Sequence, residues 1–484
     1  MNFIDPHKHT RRAFLKRSAQ LAIAGTAAPL ALNLAAIGEA AALTATDYKA
    51  LVCVFLYGGN DYANTVVRLD DAGHALYAQA RGAGSGAALV LPKTSLTKTE
   101  LVPTVALGNG VKYALAPEMT GMSNLFAQGR MAVQLNVGPL VVPLTRQQYN
   151  VRALAQPPKL FSHNDQQSVW QAQGAEGSTR GWGGNIGDLA LATNPDAMFT
   201  CISVAGNALF LSGQNTLQYQ CSRSGAVAIE AVRGSTWGNF MYEPAMRTAF
   251  EQMIQQQHTH VLANEYNRVT QRSLAAELKV TTAIAGAPMT TVFPEGNSLA
   301  DQLKMVARLI SGRNGLGVKR QVFMVALDGF DVHDSMASRQ PELLKKLSEG
   351  LTAFDTALQA LGVADKVTTF TASDFGRTLS VNGDGTDHGW GGHQFVMGAA
   401  VKGKEFYGTP PPLSVGNSSA PEDQWHVGQG RLLPSTSVDQ YAATLAKWFG
   451  VTDTELYGVL PNLHNFGERA RRPDYPIDLG FMRA

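Results

Sequence analysis

Charge of one sign is what this sequence most plainly lacks: 40 lysines and arginines stand against 38 aspartates and glutamates. Five of the basic residues (Lys8, Arg11, Arg12, Lys16, Arg17) and two of the acidic ones (Asp5, Glu39) fall within residues 1–42, so the remainder holds 35 basic and 36 acidic side chains, a net charge of −1. A near-neutral chain has no electrostatic footprint for nucleic acid or for an anionic membrane surface, and neither is expected as a partner. Cysteine is scarce as well. Cys53, Cys201 and Cys221 are too few for a disulfide scaffold, and no CxxC pair exists. Cys53 sits in an apolar run and reads as a small buried hydrophobe, whereas Cys201 and Cys221 could pair in an oxidising compartment. Also missing are a P-loop, a GxGxxG turn and a GxSxG elbow, which removes the common nucleotide-binding and serine-esterase signatures. What is present is 45% hydrophobic residues with only 16% charged ones, enough for a large globular core.

The first residues form a distinct module. Thr10-Arg11-Arg12-Ala13-Phe14-Leu15-Lys16 precedes an Ala-rich apolar run from Leu21 to Ile37 and small residues at Ala40 to Ala42. This is the pattern of a twin-arginine export signal, and its short apolar stretch suits cleavage better than anchoring. The twin-arginine translocase is the expected partner, the periplasm or cell surface the expected compartment, with no stable membrane span after cleavage. Residues 1–42 stand apart from the fold.

Along the rest of the chain, apolar runs alternate with amphipathic ones. Strands are expected at Ala50–Tyr57, Met131–Val137, Gln321–Leu327, Val367–Ala372 and Gln394–Val401. Leu343, Leu344, Leu347, Leu351, Phe354, Leu358 and Leu361 recur at helical spacing, and further helices are expected at Pro244–Lys279, Leu299–Ile310 and Val438–Phe449. Such alternation predicts an α/β fold with a mostly parallel central sheet and helices on both faces. Residues 207–297, polar and Gln-rich, interrupt the rhythm as an insertion or cap subdomain, and Gly403–Pro434 reads as a long irregular loop.

The chemistry gathers where strands meet loops. Asp61, Asp328, Asp331, His333, Asp374, Asp387, His388 and His393 all lie there, and in open α/β sheets ligands bind outside the carboxyl ends of the strands. Asp328-Gly-Phe-Asp331-Val-His333-Asp334 packs three carboxylates and an imidazole into one loop, a donor set suited to a divalent metal or to an Asp-rich turn. In Asp387-His388-Gly-Trp-Gly-Gly-His393, His388 is the preferred ligand. Asp374 ends a strand as a further ligand. Arg377, close behind it, is either an anion clamp or half of a buried ion pair. Asp61, in Gly58-Gly59-Asn60-Asp61, reads as a metal ligand, with helix capping by Asn60 as the plainer alternative for that turn. Ser162, ahead of a helical run, is an N-cap or a nucleophile activated by His163 or by a metal.

Taken together, the twin-arginine residues, Phe55-Leu-Tyr-Gly-Gly-Asn-Asp61, Phe161-Ser-His163, Gly329-Phe-Asp-Val-His333, Ser373-Asp-Phe-Gly-Arg-Thr378 and Thr386-Asp-His-Gly389 resemble an uncharacterised family of exported bacterial proteins, domain of unknown function 1501. That family falls within the alkaline phosphatase and sulfatase superfamily. The resemblance implies a sheet-edge site with two divalent metals (zinc, calcium or manganese), a metal-bound Ser or Thr nucleophile, and hydrolysis of phosphate or sulfate esters of a small anionic compound or glycan. By position, Asp61 and Asp374 would serve one metal, and Asp331, His333 and His388 the other; Ser162 is the first candidate nucleophile, with Thr65 and Thr145 behind it. The chain departs from the superfamily in having one residue between Asp331 and His333 and in placing Phe375, which cannot ligate metal, after Asp374. The alternative is a non-catalytic exported binding or assembly protein that retains the same fold.

Overall fold

A computed structural model describes residues 43, 45–82, 89–229, 244–287 and 289–483, so residues 1–42, where an export signal is expected, lie outside the described residues. Thirteen strands are described, in chain order: β1 (Lys49–Leu56), β2 (Val66–Arg68), β3 (Glu100–Leu101), β4 (Tyr113–Leu115), β5 (Met131–Gly138), β6 (Cys201–Ser203), β7 (Tyr219–Ser222), β8 (Gly225–Ala226), β9 (Arg320–Leu327), β10 (Val367–Ser373), β11 (Gly392–Met397), β12 (Phe406–Tyr407) and β13 (Thr436–Ser437). The central sheet runs β12-β5-β11-β10-β1-β9-β6-β7-β8, with β13 also on β5; β2, β4 and β3 form a small second sheet.

At the centre, β1 is parallel to both β10 and β9. Its side chains alternate between two buried faces, which is why the run Ala50–Leu56 is apolar throughout rather than every second residue. Ala50, Val52, Val54 and Leu56 share one core with three helices, α3 (Thr120–Ala127), α8 (Ser298–Ser311) and α9 (Met336–Ala360). On the opposite face Phe370 packs against Trp182 of α5 (Trp182–Ala190) and Tyr441 of α10 (Val438–Phe449). Each fully buried aliphatic or aromatic side chain in these layers contributes about 1.5–3 kcal/mol. The expected α/β architecture, mostly parallel and covered on both faces, is thus the observed one.

Several expectations are revised. The fifth strand, β11, is antiparallel to both β10 and β5, so its start, rather than its end, faces the edge where β1, β9 and β10 finish. The helix read from Pro244 to Lys279 is two helices, α6 (Pro244–Gln255) and α7 (Val261–Ala285). Asn267 donates to the carbonyls of Met253 and Gln256 at the end of α6, and His260 caps α7 by accepting from the Leu262 amide. Helix α9 starts at Met336, ahead of Pro341; one side of its first turn, Met336 and Gln340, is buried, and Gln340 donates to the Asp61 carbonyl and to Thr65 Oγ1. Within 207–297, the described residues join the main body: β7 and β8 extend the central sheet, and Ala276, Val280 and Ile284 of α7 share the main core. All three cysteines are free and buried. The pairing of Ile202 with Tyr219 and Ser203 with Gln220 puts Cys221 out of register with Cys201, so the possible disulfide does not form.

His393, on β11, is structural. Its Nδ1 accepts from the Asn136 amide, and its ring lies edge-on to Tyr62 and Tyr113. Burial, reinforced by the charge of Arg68, pushes the imidazole down to about 3. The folded state therefore holds it neutral while the unfolded chain titrates near the ordinary 6.5; its contribution to stability is full above 6.5 and lost as pH falls toward 3. Urea unfolding followed between pH 7 and pH 4 should show a falling midpoint, with a shallower fall in His393→Gln; equal slopes for the two proteins would show that another group carries the acid sensitivity.

Candidate metal centre

Four loops meet at the edge where β1, β9 and β10 end and β11 begins. The first, Gly58-Gly59-Asn60-Asp61, is closed by two glycines with φ of +110° and +85°. A Cβ on Gly58 would lie 2.3 Å from the Asp331 amide nitrogen, and one on Gly59 would lie 2.4 Å from the Phe375 ring. Glycine is needed at both positions because the loops after β9 and β10 pass directly against this turn. The fifth contributor is α4 (His163–Ala172), whose first residue reaches into the same place.

Asp331 is the focus. Its Oδ1 lies 3.0 Å from His333 Nε2 and 3.2 Å from His388 Nε2, and it accepts from Arg377 Nη1 at 2.8 Å; its Oδ2 lies 3.4 Å from His163 Nε2. Each imidazole is held from behind through Nδ1. His388 donates to the Phe161 carbonyl at 2.7 Å, His163 donates to Asp374 Oδ2 at 2.6 Å, and His333 Nδ1 is 3.4 Å from Asp387 Oδ1. An imidazole whose Nδ1–H is engaged by an oxygen turns Nε2 forward as a lone pair, the usual arrangement behind a metal-bound histidine. Phe375 forms an apolar wall, with ring centroids 4.9 Å from His163 and 4.7 Å from His388.

The titration behaviour follows the contacts. The hydrogen bond that His163 donates to Asp374 raises its pKa against the opposing effect of burial, and the charges of Asp374 and Asp331 add to the rise. Burial lowers His388, partly opposed by its bond to Phe161. Burial pushes the Asp331 carboxyl up, but the hydrogen bond and charge of Arg377, together with His333 and His163, hold it below the usual carboxylate range.

Of the residues expected at a site, the structure gathers Asp331, His333, His388 and Asp374, and it adds His163, which the sequence reading treated only as a helper of Ser162. His163, Asp331 and His388 place their ligand atoms within 4.8 Å of one another. Two features fit a cation there. His163 Nε2 is buried without a hydrogen-bond partner among the described residues, and the Nε2 atoms of His333 and His388 face each other at 2.9 Å, so they must share a proton or a positive ion. Asp374 stands one step back: fully buried, it accepts from His163 and from Gln167 Nε2 at 2.9 Å.

Three expectations are corrected. Asp61 does not join the cluster; its carboxylate caps α1 (Tyr62–Thr65) through the Asn64 amide and forms a fully buried ion pair in which Arg81 Nη2 donates to both of its oxygens, at 2.7 and 2.8 Å. Arg377 is no open clamp for an anion, because its side chain is 0% exposed and its donors are spent on Asp331, the Gly58 carbonyl and Thr386. The candidate nucleophilic hydroxyls are tied elsewhere: Ser162 donates to Asp165 Oδ2 at 2.9 Å, Thr65 to Asn60 and to the Asp61 carbonyl, and Thr145 accepts from the Gln148 amide as an N-cap. Removing one charge of the Asp61–Arg81 pair strands the other in the core. Asp61→Asn should therefore cost about 3–5 kcal/mol in urea unfolding while leaving the histidine ring signals in NMR spectra of the folded protein unchanged. Shifted ring signals with little loss of stability would return Asp61 to the imidazole cluster.

Among solved structures, Ps i-CgsB in complex with k-i-k-neocarrahexaose is similar at 8% identity and a TM-score of 0.34, covering 89% of this chain and 78% of that one. The PsFucS1 sulfatase from Pseudoalteromonas sp. is 8% identical with a TM-score of 0.35, covering 84% and 68%. The lipoteichoic acid synthase LtaP from Listeria monocytogenes is 9% identical with a TM-score of 0.33, covering 86% and 78%. At such identities and TM-scores no activity or ligand passes from these proteins to this chain. No curated protein matches the sequence. A family model does match, over residues 48–457, a span that contains all four loops and every residue of the cluster: the chain belongs to the family described as protein of unknown function, DUF1501.

Proposed function

We propose that this protein is an exported hydrolase of phosphate or sulfate esters that works with a divalent metal held by His163, Asp331 and His388, with His333 at the rim. The observation that carries the reading is the convergence of three imidazole Nε2 atoms on one carboxylate, with the His163 nitrogen buried and without a hydrogen bond among the described residues. A donor set richer in imidazole than in oxygen favours zinc over calcium. A divalent ion bound there supplies Lewis acidity toward an ester oxygen and makes water a competent nucleophile near neutral pH.

The chain's own residues divide the remaining work. Asp374 and Gln167 keep the Nδ1–H of His163 pointing backward, and the Phe161 carbonyl does the same for His388. Phe375 shields both rings from water on one side. His333, 43% exposed, is the imidazole best placed to exchange a proton with solvent or a leaving group at Nε2. With Ser162, Thr65 and Thr145 bonded elsewhere, water attacks the ester directly and no side-chain hydroxyl is required. Export through the twin-arginine translocase, from residues 1–42, would place this chemistry in the periplasm or at the cell surface.

One observation favours the second reading, a non-catalytic exported binding or assembly protein: guanidinium groups already neutralise Asp61 and one oxygen of Asp331. Elemental analysis of protein purified from the periplasm separates the two. Stoichiometric zinc or manganese in the wild type, lost in both His163→Ala and His388→Ala, followed by turnover of a phosphate or sulfate ester, is the expected result. Folded wild type that stays metal-free after zinc, manganese and calcium are offered would sink the hydrolase.

A further inference from the structure

A cavity of about 480 Å³ lies beside the imidazole cluster and shares a wall with it. Its lining includes Tyr149, Arg152, Gln156, Lys159 and Phe161. Phe161 is the shared element: its carbonyl holds His388 Nδ1 at 2.7 Å, while its ring carries the Arg431 guanidinium at 5.2 Å. Arg431 Nε in turn donates to the His388 carbonyl at 2.7 Å, so His388 is gripped by both neighbours of the cavity wall.

The cavity is cationic and aromatic together. Arg152 and Lys159 are exposed, and Arg431 stands behind Phe161. The Lys159 ammonium is paired with Asp165 and Glu176 at 3.7 and 3.8 Å, whereas among the described residues no carboxylate lies within ion-pair distance of Arg152. Tyr149 and Phe161, both half-buried, are part of the cavity lining. Arg152, Lys159 and Phe161 also hold left-handed backbones, with φ of 52°, 38° and 73°. Non-glycine residues take up that conformation when the surrounding structure imposes it, and such positions concentrate at ligand clamps. Gln156 fixes the loop by donating to the Tyr149 carbonyl at 2.8 Å.

We infer that this cavity binds a sugar ring carrying a second sulfate or phosphate group, so that the ligand of the adjoining site is a multiply charged glycan rather than a small monoester. The inference rests on the hydrolase reading for the fate of the ester, but not for the binding. Arg152 and Lys159 meet the second anionic group, and the Tyr149 and Phe161 rings meet the apolar face of the sugar. Occupation of the cavity bears on Phe161 and through its carbonyl on His388, which links the presence of the right glycan to the orientation of a cluster imidazole.

Calorimetric titration of the full exported chain with sulfated maltohexaose and with unmodified maltohexaose tests this. The wild type should bind the sulfated sugar and the neutral one at least roughly ten-fold more weakly, given the strength of hydrogen bonds to charged groups. The double variant Arg152→Asn, Lys159→Asn, chosen because asparagine tolerates the left-handed backbone, should lose the preference for sulfate while keeping the wild-type metal content. Equal affinity for the two sugars, or an unchanged preference in the double variant, would overturn the inference. Metal and turnover without charge preference would remove this subsite alone; charge preference that depends on Arg152 and Lys159 in a metal-free, inactive protein would uphold it while removing the hydrolase. Tyr149→Ala gives a second measure, since weaker binding of both sugars is expected from the lost ring and unchanged binding of both would also count against the cavity.

Discussion

The guanidinium of Arg377 is the interaction on which the sheet edge depends. It sits on the loop after β10, donates through Nη1 to the Gly58 carbonyl of the loop after β1 and to Asp331 of the loop after β9, and bonds Thr386 in the loop before β11. A buried arginine costs several kcal/mol in lost hydration unless its donors are met, and here one side chain finds partners on three other loops. The cost of burying the cation is offset only when all four loops are in place. Arg377 therefore acts as a test of assembly: the position of Asp331, and through it of the three imidazoles, is conditional on the whole edge being formed.

That dependence explains which parts of the site were legible in the sequence. The loops were visible because each has a local cause. Two glycines must turn where Cβ atoms cannot fit, Asp and His are costly to place at buried strand ends without a use, and apolar runs mark the strands that precede them. The roles inside the site were less visible because they are decided by tertiary pairing. Asp61 looks like a ligand until α2 (Asp71–Gly82) brings Arg81 to it, and Asp374 looks like one until α4 presents His163 and Gln167. A carboxylate goes to the nearest buried donor, and no spacing rule states where that donor will be. The signal that could have found His163 was present: an imidazole at the first position of a helix, in a chain with 11 histidines.

The fold shows the same division. Strand identity followed from burial on both faces, a property of composition. The direction of β11 did not, because an antiparallel strand can be as apolar as a parallel one when both of its faces are covered. Its reversed direction matters for the site. A strand that starts at the edge lets the preceding loop deliver Asp387 and His388 to the place where the loops after the parallel strands β9 and β10 deliver Asp331 and Asp374.

The charge around Asp331 bears on what the site can hold. Two metals about 4 Å apart call for several carboxylates to neutralise them, yet Asp61 is committed to Arg81 and Asp374 has one oxygen on His163 and Gln167. What remains at the focus is one carboxylate, shared with a guanidinium, and three imidazoles. Such a set can ligate a single divalent ion without neutralising it, so a bound ion would leave positive charge at the edge. The cations of the neighbouring cavity carry the same sign. A divalent ion bound among the three imidazoles would add its charge beside the cavity that Arg152 and Lys159 line, with Phe375 and the buried Arg377 forming the inner wall.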